Sequence, residues 1–442
     1  MLETVNLSRY FMLPLLLFSV AARETLQSPD KSLVVNPDNF PRGTARGASS
    51  RAVAGESIFR AFWNVPNVCG EKYGVELPLR KYGIEYNSNG QRQIGDVINV
   101  FGQTRIGLYP FIDPDTLKFI NGGLPQLANI TAHLEKAAVD LLTAIPDPDF
   151  HGIGVIDWEA WLPHKILEPN SIYREFSIAH VRSLHPDWDD VTITSVATLE
   201  WMQGARLFLE STVKLAMQLR PKAMWGFYHY PYCNIDKMNS STCDEWLVEF
   251  NNKMLWMFNE TTAMYPSIYL RPSKSYGPES VIARLKEAFR LRGRSSDPKG
   301  VVLSYTRFNY SHTGYYFTLE DLNATILTSA EFGTNGVVFW GDAFDEQSRQ
   351  TCLELRAYIE KALGPTLLMA RDGAEACSSR VCSGHGRCVG KILSCTSTSR
   401  LNRKQPELMP GLNSGSQSGE FAEFCSCRCF HGWHGEDCSR PE

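Results

Sequence analysis

Gly152-Ile153-Gly154-Val155-Ile156-Asp157-Trp158-Glu159-Ala160-Trp161 is an apolar run that closes on two carboxylates one residue apart. A short apolar run of this kind is a buried strand, and side chains at i and i+2 of a strand share a face. Asp157 and Glu159 therefore point one way and Trp158 the other. Two carboxylates ending a buried strand are costly unless each has a partner or a task. If both face one cleft, their repulsion raises the pKa of one and leaves an acid beside a base. The pattern alone keeps a second reading open, in which the acids are solvated or ion-paired at a strand end.

Outward from this stretch, strands and helices alternate. On the N-terminal side, Ile58 to Pro66 is a strand-like run closed by Pro, Ile98-Asn99-Val100-Phe101 is a strand, and 125–145 carries apolar residues at helical spacing. On the C-terminal side, helices are expected over 171–185 and 192–219, then a strand at Met224-Trp225-Gly226-Phe227-Tyr228. A helix over 244–263, a short strand Ser267-Ile268-Tyr269-Leu270, a helix over 279–292 and a strand over 300–305 follow. A helix over 319–332, the strand Gly336-Val337-Val338-Phe339-Trp340 and a last helix over 346–363 complete the series, which stops near Gly364-Pro365. Repeated strand–helix units with near-continuous apolar strands indicate an α/β fold, a parallel sheet with helices outside. The length suits a distorted TIM-like (β/α) barrel, since no Gly-rich phosphate loop follows the first strand. Chemistry in such barrels sits at the C-terminal ends of the strands, where Asp157, Glu159, Tyr228, Tyr269 and Trp340 all fall.

The chain has 442 residues, 43% hydrophobic and 21% charged, which predicts one large and one small domain rather than disorder. A net charge of -4 argues against a general nucleic-acid binder. Residues 1–22 carry an apolar run of signal-peptide length, too short to span a bilayer, and 23–56 form a flexible leader rich in Ser, Gly, Pro and Arg. The barrel is assigned to 57–370 and a Cys-rich segment to 371–442. No later stretch is long and apolar enough to span a membrane, and the C-terminus lacks the tail of a lipid-anchor signal. Secretion, or delivery to a lysosomal compartment, is expected, as a monomer. Eight of the twelve cysteines crowd between Cys377 and Cys438, which suits an oxidising compartment. Sequons at Asn129, Asn239, Asn259, Asn309 and Asn323 point to the same route. His385, His431 and His434 lie near cysteines, but thiols made in such a compartment oxidise, so no metal is expected, and no cofactor.

Several motifs occur in one order along the chain. They are Gly122-Gly123-Leu124-Pro125-Gln126, Val155-Ile156-Asp157-Trp158-Glu159-Ala160-Trp161, Trp225-Gly226-Phe227-Tyr228 and Tyr265-Pro266-Ser267-Ile268-Tyr269. Val337-Val338-Phe339-Trp340-Gly341-Asp342 and Cys382-Ser383-Gly384-His385-Gly386-Arg387-Cys388 complete the set. Together they resemble the hyaluronidase family of glycoside hydrolases, from about 58 to 438. The resemblance implies a distorted barrel followed by a small disulfide-rich EGF-like module, here with a long polar insertion. It also implies a retaining endo-β-N-acetylhexosaminidase that hydrolyses hyaluronan, chondroitin or both, with the substrate's own acetamido oxygen as nucleophile. Glu159 matches the general acid/base and Asp157 the residue that orients the acetamido group. Tyr228 and Tyr269 match tyrosines that position it, Trp340 an aromatic wall for the sugar, and Arg284 a cleft arginine able to receive a uronate carboxylate. Cys69 with Cys352 would tie the first strand to the last helix, and Cys233 with Cys243 would staple a loop. Family spacing pairs Cys377 with Cys388, Cys382 with Cys427 and Cys429 with Cys438, leaving Cys395 and Cys425 as an extra pair.

The chain departs from the family pattern at four places. Leu162 follows the acidic motif where an Arg is usual, Tyr232 precedes Cys233 where an Asp is usual, and Gly102 and Ser311 replace a Tyr and an Asp. A missing Arg beside the acids removes a charge that would lower their pKa values. These changes motivate an alternative, a glycosaminoglycan-binding or adhesion protein with weakened chemistry.

Overall fold

The computed structural model describes residues 58–164, 171–233, 240–271, 277–310, 313–395 and 425–442. The signal and leader segments and Asn239 lie outside the described residues. Its main chain follows eight parallel strands: β1 (Arg60–Asn64), β2 (Ile84–Glu85), β3 (Ile98–Phe101), β4 (Ile153–Ile156), β5 (Met224–Phe227), β6 (Ala263–Met264), β7 (Val301–Thr306) and β8 (Gly336–Trp340). β2, β1, β8, β7 and β6 form one sheet in that order, and β3, β4 and β5 another. β5 and β6 meet at the Tyr228–Tyr265 bridge, and the first strand pairs with the last, Phe62 opposite Val338.

Both faces of these strands are buried, as near-continuous apolar runs require. Phe62, Val100, Ile153, Val155, Leu303, Tyr305 and Val338 converge on one cluster from alternate positions. Their strand neighbours Phe101, Ile156, Trp225 and Phe227 pack into a second cluster under the helices, and Ala61, Trp63, Val337 and Phe339 into a third. The period of two thus sorts every strand into an inner and an outer row.

The helices cover the outer rows. α1 (Ile130–Ala144) starts where the Asn129 side chain accepts from Ala132 N, and buries His133, Ala137, Ala138 and Leu141. α2 (Asp190–Leu219) begins before the expected 192 because Asp189 caps Val191 and Thr192. α3 (Pro278–Arg294) opens on Pro, whose missing N–H costs nothing in a first turn.

Three expectations about elements are corrected. The segment expected as a helix over 244–263 breaks into Glu245–Lys253 and Leu255–Asn259, and its end is strand β6. Ser267–Leu270 is not a regular strand and meets β7 through the Ser267–Tyr305 bridge. The helical pattern does not stop at Gly364-Pro365: a wide turn over Ile359–Leu363 leads into α4 (Gly364–Val381). Pro365 lacks the N–H that a continuous α-ladder would use, and the wider i→i+5 turn ahead of it absorbs the mismatch. The expected boundary between 370 and 371 therefore falls inside α4.

All cysteines are paired: Cys69–Cys352, Cys233–Cys243, Cys377–Cys388, Cys382–Cys427, Cys395–Cys425 and Cys429–Cys438. Cys377 lies on α4, so the bridges anchor the C-terminal segment to that helix. There Gly386–Val389 pairs antiparallel with Ser426–Cys429, and Arg428 reaches back to the Phe332 carbonyl while lying 3.7 Å over the Phe289 ring. Of the sequons, Asn129, Asn259 and Asn323 are exposed. Asn309 is not available in the folded chain. It is 3% exposed, accepts from Arg307 Nε at 3.0 Å and donates its amide nitrogen to Asp345.

No backbone ladder joins β2 to β3. The side chain of Asn87, 2% exposed, spans that seam. It donates to the carbonyls of Gln91 and Ile98 at 2.9 Å, and accepts from Val97 N at 3.0 Å and Ile98 N at 2.7 Å. Replacing it by Ala strands buried backbone groups, so Asn87→Ala is expected to destabilise the fold by about 2–3 kcal/mol. The urea midpoint with disulfides intact measures this; an unchanged midpoint would show that the seam is held elsewhere.

Candidate active site

The ladder runs one residue past β4. Asp157 N donates to Phe101 O and Tyr228 N to Ile156 O, both at 2.9 Å, so the two side chains emerge side by side at one rim. Ile153 and Val155 belong to the inner row, and Asp157 and Glu159 continue it. Trp158 goes the other way, buried at 6% exposure and stacked on Tyr109 at 4.7 Å. Trp161 stacks on the same ring at 5.2 Å and its indole donates to Pro110 O at 2.7 Å. The aromatic residues of the motif thus fix its backbone while the acidic ones face the cleft.

The two carboxyls act directly on each other. Burial raises Asp157 up to about 7, the charge of Glu159 adds to the rise, and Arg92 opposes it. Among the described residues no donor meets Asp157 Oδ1. Glu159 opens to the cleft, yet burial of its carboxyl also raises its pKa, and Asp157 works against the rise. Burial raises the pKa of Tyr228, Tyr230 and Tyr232, and the charge of Glu159 adds to the rise in each. Such a pair titrates as a unit, holding one proton toward neutral pH.

Around the acids stand groups from other strand ends. Tyr228 Oη donates to Tyr269 Oη at 3.1 Å, and its ring meets Tyr305 edge-on at 5.0 Å. Tyr305 in turn donates to Asn64 Oδ1 at 3.3 Å, at the end of β1. Trp340 lies 6.5 Å from the Tyr269 ring and carries two guanidinium groups against it, Arg307 at 4.7 Å and Arg92 at 5.6 Å. Asp157, Glu159, Tyr228, Tyr269 and Trp340 are therefore brought to one rim.

Arg284 has other company. It is 8% exposed on α3, and it donates to Tyr269 O at 3.4 Å and Ser280 Oγ at 3.3 Å. A guanidinium buried under the Tyr269 segment cannot meet a polymer carboxylate without leaving those contacts. These contacts tie it to the Tyr269 segment. The signal was present in the sequence, because Arg284 shares a helix face with Val281, Leu285 and Ala288, all fully buried.

The four departures fall unevenly. Leu162 packs against the aromatic cluster and its carbonyl accepts from the Trp201 indole at 3.1 Å. Tyr232 sits 4.8 Å from Tyr230 and 4.5 Å from His229, beside Glu159. A Cβ placed on Gly102 would meet nothing within 4 Å, so the cleft is open next to Asp157. Ser311 lies outside the described residues. Sequence reasoning missed Arg92, Tyr305, Asn64 and His229. His229 holds φ 73° between Tyr228 and Tyr230, a conformation rare for a side chain other than Gly, and that strain marks it only once the backbone is known.

The model of the hyaluronidase family matches residues 48–442. The chain belongs to the hyaluronidase family. Human hyaluronidase-1 is 34% identical over 404 residues, which cover 86% of this chain and 92% of that protein. Pig hyaluronidase-3 is 34% identical over 400 residues, covering 88% and 92%. Among solved structures, bee venom hyaluronidase in complex with a hyaluronic acid tetramer superposes with TM-score 0.63 at 32% identity, covering 70% of this chain and 98% of that one. This hyaluronidase-type chain is thus a glycoside hydrolase, and the rim described above is where its acids meet.

A carboxyl whose folded pKa exceeds its unfolded value binds more protons in the native state, so its contribution is present at low pH and lost as pH rises toward 7. Asp157→Asn removes that charge. The variant is expected to keep its melting temperature between pH 4.5 and 7.5 better than the wild type does. Parallel losses in the two proteins would refute the raised pKa of the pair.

Proposed function

We propose that this chain is a retaining endo-β-N-acetylhexosaminidase that cuts hyaluronan, and chondroitin as a second substrate, by substrate-assisted catalysis. One observation carries the reading: two neighbouring carboxyls of raised pKa on one strand face, with two hydroxyl-linked tyrosines at the same rim. A scheme with an enzyme nucleophile needs carboxylates on opposite sides of the scissile bond. Neighbours on a single strand cannot flank a ring, so the nucleophile is the acetamido oxygen of the bound hexosamine.

That oxygen attacks C1 as the C1–O bond to the leaving sugar breaks, and Glu159 gives its proton to the departing glycosidic oxygen. Asp157 accepts the acetamido N–H and balances the positive charge of the oxazolinium ring. Tyr228 and Tyr269 hold the acetamido group in line. Water then attacks C1 from the face the leaving group vacated, Glu159 takes its proton, and the ring reopens with retained configuration.

The coupled proton is central to this scheme. Between them the two carboxyls can present an acid and a charge at the same moment, which a widely separated pair of ordinary pKa would not do near neutrality. A protein that only bound glycosaminoglycans would gain nothing from such a pair, since two acids repel a polyanion. The weakened binding protein is for that reason the lesser reading.

The strand order, with its first strand paired to its last, supports a distorted (β/α) barrel. The interlocked bridges among Cys377, Cys382, Cys388, Cys427, Cys429 and Cys438 support an EGF-like module at the C-terminal end. Bridges in this number belong to an oxidising compartment, which agrees with secretion or lysosomal residence. Among the described residues no helix is long and apolar enough to cross a membrane.

Glu159→Gln is expected to lower the rate of depolymerisation by at least ~10²–10⁴-fold. Incubation of wild type and variant with hyaluronan and with chondroitin from about pH 3.5 to 7.5, across the range set by the raised carboxyls, and sizing of the products, measures it. Near-normal turnover by the variant would sink the assignment. Binding by the wild type without chain shortening at any pH would favour the adhesion reading.

A further inference from the structure

Trp340 is flanked by two guanidinium groups in opposite circumstances. Arg307 is 2% exposed and engaged by Asp345 at 3.0 Å, by Asn309 Oδ1 at 3.0 Å and by Asp342 at 3.7 Å. Its charge is neutralised within the protein. Arg92 is half-buried, gives one hydrogen bond to the Gly341 carbonyl at 3.0 Å, and forms no salt bridge among the described residues. Its loop is held by Asn64, whose amide donates to Arg92 O at 2.7 Å from the end of β1.

The position of Arg92 is defined from both sides. Its charge reaches Asp157 and Tyr305 on the floor of the site, and its guanidinium lies over the Trp340 ring. On the other side it lines a cleft of about 540 Å³ with Pro66, Asn67, Gln93, Arg105 and Asp342. Arg92 thus stands between the Trp340 ring and this cleft, near enough to Asp157 to act on its charge.

A half-buried guanidinium with most of its five donors unused and no salt bridge among the described residues is a place for an anion, even though Asp157 lies within reach of its charge and Glu71 and Asp342 line the same cleft. It is costly in the empty cleft and repaid when a planar carboxylate meets it with two parallel hydrogen bonds. We propose that Arg92 is the residue that recognises the uronate carboxylate next to the hexosamine at the reaction centre. This rests on the glycosaminoglycan reading of the site and makes it narrower. Hyaluronan and chondroitin share that uronate, so Arg92 does not choose between them. It selects both over neutral N-acetylhexosamine polymers.

The test compares wild type with Arg92→Gln on two oligosaccharide substrates. One is native hyaluronan oligosaccharide; the other is the same material with its carboxyls reduced to primary alcohols. The expected result is a loss of about 10–100-fold in kcat/KM on the native substrate, carried mainly by KM, the range of a charged hydrogen bond. On the reduced substrate the two proteins should agree within about threefold, since no charge remains to lose. Because Arg92 also acts on the charge of Asp157, each protein is compared at its own pH optimum; equal losses on both substrates there would overturn the proposal and leave Arg92 as a group that only tunes Asp157. If the wild type cuts neither substrate, the activity reading has failed, and direct binding decides the matter independently. Glu159→Gln should then prefer native over reduced oligosaccharide, and the preference should vanish when Arg92→Gln is added; preference retained in the double variant would refute the subsite.

Discussion

Two carboxyls that must share a proton are the constraint on which the rest of this rim depends. At about 4 Å two like charges repel by roughly 1 kcal/mol in water and about 4 kcal/mol at an intermediate dielectric, so a doubly ionised pair is resisted more strongly the drier the site becomes. β4 supplies the spacing by its pleat, and nothing in the strand can separate the acids, because residues two apart always share a face. What can be adjusted is the surroundings. Asp157 has a nearby cation in Arg92, while no cation appears among the causes that act on Glu159. Burial raises both acids, but only Asp157 also has a cation acting on its charge, and that asymmetry lets the two carboxyls hold separate duties.

Leu162 and Tyr232 make sense together in that light. Each removes a charge that the family pattern would place near the acids, one positive and one negative, so the local net charge is conserved while the wall becomes less polar. Tyr232 leans on Tyr230, and both rings feel Glu159. A less polar wall raises a carboxyl through desolvation. Loss of an arginine raises it too, and loss of an aspartate lowers it, so the substitutions partly cancel in charge and add in dielectric. The site keeps its raised acids by a different route.

The sequence was readable where physics acts locally. The alternation along β4 placed Asp157 and Glu159 on one face, and strands buried on both sides implied parallel order before any contact was known. It was less readable where a residue's meaning depends on distant chain. Asn87 sits in a polar loop without periodicity, and its value comes from a seam that exists only after β2 and β3 are brought together. Arg92 lies in the same kind of loop, 248 positions before the ring it covers, as the separation between Arg92 and Trp340 shows. Asn309 carried a legible glycosylation motif, but the motif says nothing about burial, and the fold commits its amide to Asp345. The burial of Arg284 was legible in its helical spacing, which puts it among buried apolar residues.

Those failures share a cause that also explains the shape of the cleft. A cation is interpretable only with its counter-charges in view, and counter-charges in a parallel fold come from strands far apart in sequence. Arg307 and Arg92 touch the same indole, yet Asp345 and Asp342 from the loop after β8 neutralise the first and leave the second. The loop after β8 therefore does two things at once. It holds Trp340 at the rim and decides which of two arginines keeps a charge to offer. Lengthening the wall by one carboxylate near Arg92 would close the cleft to a polyanion without touching Asp157 or Glu159, which makes charge satisfaction at the rim, more than the acids themselves, the natural place for this fold to change what it binds.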